Sequence, residues 1–550
     1  MSSIINSAMS GLSAAQAALS TTSNNISNYT VAGYSRQTTV LAQANSTLQG
    51  NSYYGNGVNI TGVQREYDAF IATQLRGSSA NYSAVSTQHS QISNIDDLLS
   101  TSTTSLSTSL QGFFTNLQNV VSNANDPSAR QSMLSNAQGL VSQFQTSAQY
   151  LNNMQNSVNA DIGSSIKQVN TITSQIADLN KQIGKLSTAN GAAPNDLLDK
   201  RDQLVNTLNN VVGVTVSQQD GGGYTVAMAN GLTLVNGDKS HDLVAMNSSS
   251  DPTRTTIGYV DKQAGNVEIP EKLITTGSLG GLLAFRTQDL DLAQNQLGQL
   301  AAAFTTSFND VHKQGFDSNG DQGVDFFNIG SPLVVSNSKN STAASVTAEW
   351  TDTSALKATN YNVSFDGTNW TATRASDSTA AAITQSTDAS GNTTLSFDGL
   401  KLTVGATPAP AAKDSFLVKP VQNVVNDMSV AITNESQVAA AGAVGGESDN
   451  RNAQKLLALQ DAKLVGGNAT LSQAYATIVS SVGNKTSSLE TTSDTQKSVV
   501  SQLTERQQSV SGVNLDEEYA NLTKYQQYYM ANAQVLQTAS TVFNALINIR

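Results

Sequence analysis

Ile5, Leu12, Leu19 and Ile26 recur at intervals of seven, and Ala8 and Ala15 follow the first two by three positions. This spacing predicts an N-terminal helix with a narrow, coiled-coil-like apolar seam. Its remaining faces are Ser, Thr, Gln and Asn, and no charged residue precedes Arg36. A lone helix with so little apolar area is marginal in water, so this segment is expected to stay disordered until something packs on it. The far end repeats the pattern. Leu515, Leu522, Tyr529, Leu536 and Phe543 are again seven apart, with Tyr525, Ala539 and Leu546 on a companion seam. Asn514 followed by Glu517 reads as a capping box, and Asp516, Glu517 and Glu518 suit the positive end of a helix dipole.

Between these ends the same period marks a rod. Val85, Ile92, Leu99, Leu106, Phe113 and Val120 keep register, widened by Ile95, Leu110 and Leu117. Asp126 and Pro127 then read as N-cap and first residue of a new helix. That helix carries Phe144, Leu151, Val158, Ile172, Leu179 and Leu186, and unbroken from Ser128 to Leu186 it would be on the order of 90 Å long. Near Gly213 the period changes: VTVSQ, YTVAM and LTLVNG alternate between Gly-rich breaks, which predicts short strands. One more helix is marked by Leu283, Leu290, Leu297, Phe304 and Val311. After it, YNVSFDGTNW and TTLSFDGLKLTV predict two-residue hairpin turns at Asp366-Gly367 and Asp398-Gly399. Helix resumes after Pro420, with Tyr475, Val482, Leu489, Leu503 and Val510 in register.

The expected fold is therefore a multidomain α+β chain. Terminal coiled-coil-like helices occupy 1–36 and 512–550, and a long-helix rod domain takes 37–190 and 421–511. A mixed α/β outer domain (191–330) and a small antiparallel β outer domain (331–420) are inserted in the rod. Seams that begin and end the chain can bury each other only in part, so the remaining apolar faces are expected to meet other subunits. The expected assembly residues are Ile5, Leu12, Leu19, Ile26, Leu515, Leu522, Tyr529, Leu536, Phe543 and Leu546.

Composition narrows the function. A net charge of −12 over 550 residues argues against nucleic acid, whose binding rests on Lys and Arg neutralising phosphates. The absence of cysteine removes disulfides, thiolate metal sites and thiol nucleophiles. The opening MSSIINSAMSGLSAAQAALS has neither the basic region nor the apolar core of a cleaved leader, and no apolar run approaches the roughly 20 residues that insert in a membrane.

Candidate chemistry is sparse. His89, His241 and His312 pair with no nucleophile motif and read as ordinary surface histidines, no Walker spacing appears, and no cofactor is expected. DSNGDQGVDFFN places Asp317, Asn319, Asp321 and Asp325 at calcium-loop positions, but Gln322 stands where the turn wants Gly and Asn328 where a bidentate Glu should close the shell. It reads as an Asx/Gly turn. LLDKRDQL, with Lys200 and Arg201 between Asp199 and Asp202, reads as a solvated helix face held by local ion pairs.

NNISNYTVAGYSRQ after the opening helix, and NLDEEYANLTKYQQYYMANAQVLQTASTVFNALI at the end, resemble the shared terminal segments of the axial (rod and hook) proteins of the bacterial flagellum. GYSRQ, DPSARQSMLSNAQGLVSQF, PNDLLDKRDQLVNTLNNVVGV and GFDSNGDQGVDFF are similar to the hook-associated members, and the similarity runs over nearly the whole chain. The resemblance implies a non-enzymatic structural subunit of the hook–filament junction, exported unfolded through the flagellar type III channel without a cleaved signal. Implied partners are copies of itself in an annulus, the hook protein, the next hook-associated junction protein, and an export chaperone on the C-terminal helix. It also implies that the calcium-like loop belongs to the family pattern as a structural turn. The alternative from another class is a calcium-binding surface adhesin module on a helical stalk.

Overall fold

A computed structural model describes residues 2–100, 105–190, 194–446 and 448–547. The α-helices among them are α1 (Ser2–Ser27), α2 (Ala69–Ser100), α3 (Leu106–Ser122), α4 (Pro127–Asn190), α5 (Asn195–Val211), α6 (Gly277–Ala284), α7 (Asp291–His312), α8 (Arg451–Ala458), α9 (Leu471–Ser511) and α10 (Leu515–Ile547). The chain divides into two compact units, one of Met1–Ser83, Gln168–Asp242 and Asp494–Arg550, the other of Ala84–Lys167 and Leu243–Ser493. The architecture is the expected multidomain α+β; the four-part division expected from the sequence does not coincide with these two units, since its 37–190 and 191–330 parts are each divided between them.

In the first unit, α1 lies along α10. An antiparallel ribbon follows α1, pairing Gln37–Gln43 with Val58–Arg65 and bulging between Val40 and Leu41. The heptad reading missed this ribbon because QTTVLAQ does not alternate. Ser10 and the tight backbone of Gly57 seat it on α1: Ser10 Oγ accepts from Val58 N–H at 3.2 Å, and Gly57 has φ +87°. Helix α5 leads into a meander of Val214–Gln218, Tyr224–Met228, Thr233–Asn236 and Lys239–Ser240, the strands expected near Gly213. Val205, Leu208, Val226 and Val235 are buried in this region.

The second unit is built on the long period. Asp126 caps α4 through its carboxylate, which accepts from Ser128 N–H at 2.9 Å, and α4 then runs 64 residues, as its seam predicts, with those up to Lys167 in this unit and those from Gln168 in the first. The register from Leu99 to Leu106 is not one helix: α2 ends at Ser100 and α3 restarts behind an Ser105 N-cap, while residues 101–104 lie outside the described chain. Phe113 and Phe114 of α3 meet Phe304 and Phe308 of α7 edge-on, with Phe113 centroids 5.5 Å and 5.4 Å from the latter two. The helix expected over Leu283–Val311 is α6 and α7 joined by a π segment, Phe285–Leu290, in which Arg286 and Asp289 are buried. After Pro420 the next α-helix among the described residues begins only at Arg451; the stretch between them contains a 3-10 turn, Glu435–Gln437, and is held by backbone bonds such as Phe316 N–H to Ala441 O at 2.9 Å.

Residues 333–419 form two antiparallel sheets. One is ordered Leu333–Ser336, Ser415–Lys419, Tyr361–Phe365, Trp370–Arg374, Ala380–Ala381; the other Val346–Trp350, Leu400–Val404, Thr393–Phe397, Thr384–Thr387. Strict alternation explains them: Leu400, Leu402 and Val404 are buried while Lys401 and Thr403 are not. Asp398 (φ 44°) and Gly399 (φ 76°) make the two-residue turn their sequence predicts. Asp366-Gly367 does not. Phe365 pairs with Trp370, so the loop has four residues, and the Asp366 carboxylate closes it by accepting from Thr368 N–H at 2.7 Å and Asn369 N–H at 2.6 Å. A local Asx turn here wins over the tight turn.

Candidate assembly interface

Helix α1 buries its small residues. Ala8, Ala14, Ala15, Ala18, Thr21, Thr22 and Asn25 are covered, whereas Ile5, Leu12, Leu19 and Ile26 are only half-buried. Small side chains allow a close approach: a Cβ on Gly11 would lie 2.4 Å from Asn532 Oδ1. On α10 the buried residues are Glu518 and Ala539. Leu515, Leu522 and Leu536 are half-buried, and Tyr529, Phe543 and Leu546 are exposed, Leu546 to 54%. The companion positions Ala8, Ala15 and Ala539 thus make the intramolecular contact, and the larger seam residues remain partly open. Since hydrophobic stabilisation scales with apolar area buried, the alanine contact leaves most of that gain unused. Ile4, Ala531, Val535, Ala539 and Val542 line an apolar groove of about 480 Å³ between the two helices. Gln534, off the main seam by spacing, lines it too.

What sets the register of this pair is polar. Asn25 is buried and fully bonded: its Nδ2 donates to Gln37 O (2.9 Å) and Glu518 Oε2 (3.1 Å), and its Oδ1 accepts from Tyr34 O–H (2.7 Å) and Gln37 N–H (3.0 Å). Arg36 reaches Glu518 Oε1 at 2.8 Å through Nε and Glu517 Oε2 at 3.1 Å through Nη1, and its N–H donates to Ser511 O at 2.8 Å. Glu517 therefore serves Arg36 rather than the expected capping box; Asn514 alone caps α10, accepting from Asp516 N–H at 3.0 Å. Gly33 (φ +83°) supplies the reversal that brings Tyr34, Ser35 and Arg36 back toward Asn25. The charge-free opening and its motif are thus one device, in which the first charged residue joins the N-terminal segment to the start of the C-terminal helix.

The same motif is anchored on α5, and here the sequence reading is corrected. LLDKRDQL is not a solvated face: Asp199, Arg201 and Asp202 are all buried. Asp199 accepts from Ser35 Oγ at 2.8 Å and Ser35 N–H at 3.1 Å. Arg65 pairs with Asp199 and Asp202, each at 2.8 Å. Burial opposes the Arg65 charge, but Asp202 and Asp199 outweigh it and hold the guanidinium above its ordinary value. Arg201 lies over the Tyr224 ring, 3.4 Å from its centroid, and donates to Asn180 Oδ1 at 2.9 Å. Burial, then the Asp199 and Glu518 charges, push the Tyr34 hydroxyl up to about 12, so it stays a donor at any physiological pH. A distant basic ribbon residue, Arg65, was the missing partner. Opposite charges on a helix face that all turn inward leave no local signal. A polar cleft of about 880 Å³ borders this network, lined among others by Tyr29, Arg36, Gln203, Gln507 and Glu517.

The remaining candidates resolve individually. In the calcium-like loop, Asp317 Oδ1 accepts from Asn319 N–H (2.8 Å) and Asp321 N–H (2.9 Å), and Asp325 pairs with Lys313 at 3.0 Å. This is the Asx turn, and nothing in it favours the adhesin alternative. His241 is exposed and His89 half-buried, but His312 is fully buried, contrary to its reading as a surface residue. No described helix is long and apolar enough to cross a membrane.

The geometry matches known proteins along its length. Family models match at residues 5–34 (flagella basal body rod protein), 92–327 (flagellar hook-associated protein FlgK helical domain), 335–420 (flagellar hook-associated protein 1, D2-like domain) and 506–549 (flagellar basal body rod FlgEFG protein C-terminal). Flagellar hook-associated protein 1 of Salmonella typhimurium is 58% identical over 559 residues, covering 100% of both chains. The chain belongs to the flagellar hook-associated protein 1 family. The Escherichia coli hook-associated protein 1 is 56% identical over 553 residues, again covering 100% of each chain. The solved flagellar hook junction protein FlgK of Burkholderia pseudomallei superposes with a TM-score of 0.75 at 29% identity, covering 80% of this chain and 100% of that one. Membership in the hook-associated protein 1 family makes this chain a structural subunit of the flagellar hook–filament junction, outside the cell, and not an enzyme.

Proposed function

We propose that the chain assembles into the junction through the open faces of α1 and α10, as an annulus of copies seated on the hook protein below and carrying the next hook-associated protein above. The carrying observation is the exposure of apolar side chains at the two ends: Ile4, Met9, Met530, Val535, Val542, Phe543 and Leu546 all stand open. Ile5, Leu12, Leu19, Ile26, Leu515, Leu522, Tyr529 and Leu536 flank them as the assembly seam. The terminal helices form on pairing, so the chain passes the export channel unfolded, with a chaperone covering α10 until release. The sequence contains no cysteine, which makes the test clean. Single-cysteine variants Val542→Cys and Met9→Cys, placed in cells lacking the native chain, should each yield a crosslinked dimer in isolated hooks with a short bis-maleimide. The control Lys401→Cys, half-exposed on a strand of the 333–419 sheets, should not. Monomers alone at both terminal positions would sink the proposal.

A further inference from the structure

The second unit holds one fully buried histidine, and its two ring nitrogens fasten two separate stretches of chain. His312, the last residue of α7, places Nδ1 2.6 Å from Val324 O, while Nε2 accepts from Ala439 N–H at 2.9 Å. A carbonyl on one side and an amide donor on the other admit a single arrangement: a neutral ring with its proton on Nδ1. The ring stacks on Phe308 and meets Phe326 edge-on, with centroids 6.2 Å and 5.3 Å away. Gly323 packs against both the His312 backbone and the held stretch: a Cβ there would lie 2.1 Å from His312 O and 2.7 Å from Ala439 Cβ. The stretch that Nε2 holds, Val438–Ala441, lies in the irregular Gly- and Ala-rich segment and depends on outside partners: Arg130 Nη1 donates to Val438 O at 2.6 Å, and Asn452 Nδ2 donates to Ala439 O at 2.8 Å.

We propose that His312 is a pH-sensitive pin: neutral, it holds the 438–441 segment in the second unit, and protonated, it releases that segment. Protonating Nε2 would set an N–H donor against the Ala439 N–H, so charging the ring and keeping that bond are mutually exclusive. Burial holds the imidazole below its ordinary value, with the hydrogen bond to the Val324 carbonyl and then the Asp325 and Asp317 charges opposing. The charged groups around it come from each neighbouring element. Asp310 is on α7 and Lys313 caps its end, Asp317 and Asp325 are on the following loop, Glu435 precedes the held segment, and Arg130 on α4 bonds the held segment itself. Asp325 is engaged by Lys313, and Arg130 adds a positive charge beside the ring's own partner. A folded-state value depressed below the unfolded one stabilises the segment above the ordinary histidine range and loses that stabilisation as pH falls toward the folded value. As part of an extracellular structure, this pin would experience the pH of the surrounding medium.

Hydrogen exchange on the full chain, followed by mass spectrometry from pH 8 to pH 5 and corrected for intrinsic rates, tests the proposal. In the unmodified chain the opening of peptides spanning 438–441 should grow about tenfold per pH unit below the ordinary histidine value, while peptides from the 393–404 hairpin stay flat. His312→Gln keeps an acceptor for Ala439 and cannot titrate, so its profile at 438–441 should be flat. A flat profile in the unmodified chain, or an equal slope in His312→Gln, overturns the pin. Should His312→Gln fail to fold, Asp325→Asn decides: a retained slope supports histidine as the titrating group, and a vanished slope assigns the effect to the carboxylate and overturns it.

Discussion

The terminal helix pair and the two β sheets of 333–419 are both inserted or appended to the long helices, yet they finish their surfaces in opposite ways. In the β sheets the apolar positions are buried: Leu356, Tyr361, Val363, Leu395, Phe397, Leu402 and Phe416 sit inside, and none of the large exposed apolar residues falls between 331 and 420. In α1, the ribbon and α10 they are abundant, from Ile4 and Leu41 to Tyr528 and Ile547. Both regions are also closed by charged groups that are buried or half-buried. Arg374, Asp398 and Tyr361 close the β sheets, with Asp398 accepting from Arg374 at 2.8 Å and Tyr361 O–H at 2.8 Å. Arg36, Glu518 and Asn25 close the termini. The β region buries its large apolar side chains as folded, whereas the terminal pair is held in register by polar contacts and leaves large apolar side chains exposed.

The sharpest way to break this contrast is Leu536→Asp. Leu536 is half-buried beside α1, so the isolated chain should lose little stability, but in the junction each copy would bury an unpaired carboxylate at several kcal/mol. Filament growth should stop while the thermal transition of the second unit is unchanged; normal filaments on electron micrographs would refute the assembly role of α10.

Arg36→Ala comes next. It leaves Glu518, 1% exposed, without its ion partner, and the loss should be about 3 kcal/mol in the first unit alone. Limited proteolysis should then cut near residues 28–36 well before any site in 333–419. Equal protection would mean that the polar contacts do not hold the ends together.

Excising 331–420 probes the other side. Gly330 already lies against Asn423, where an added Cβ would be 2.3 Å from Asn423 O, so a short linker can close the gap. The deletion removes Lys419, whose Nζ meets buried Asp251 at 2.6 Å. We expect a soluble chain destabilised by about 2 kcal/mol, with Asp251→Asn in the deleted background recovering part of the loss. Insoluble protein in both would show that the β sheets support the rest of the second unit.

The smallest effect expected is confined to one turn. Gly399→Ala forces a side chain onto φ +76° with its Cβ 2.2 Å from Asp352 O, whereas at Gly367 the nearest atom, Ala412 Cβ, is 3.2 Å away. Gly399→Ala should cost about 1–2 kcal/mol and Gly367→Ala less, measured as shifts in thermal unfolding. Equal shifts would mean that the four-residue loop is as constrained as the two-residue one.

The periodic elements were legible in the sequence because their causes are local. The seven-residue seam of α4, its Asp126 cap and the Asp398-Gly399 turn need only their own neighbours. So did the two apolar ends, which marked out the terminal pair before any packing was known. What the sequence could not show was decided by residues far apart in the chain. Arg65 turns Asp199 and Asp202 inward, Glu518 claims Arg36 across 482 residues, and Ala439 makes a buried acceptor of His312. The sequence by itself determined most of the long helices, the strands after Gly213 and those of 333–419, and that both ends carry apolar seams, since side-chain period and turn chemistry act within a few residues; the ribbon after α1 and the stretch before Arg451 escaped it. Only the tertiary structure decided which charges are buried and which alanines make the terminal contact, because a buried ion is tolerable only where a partner from elsewhere in the chain arrives to meet it.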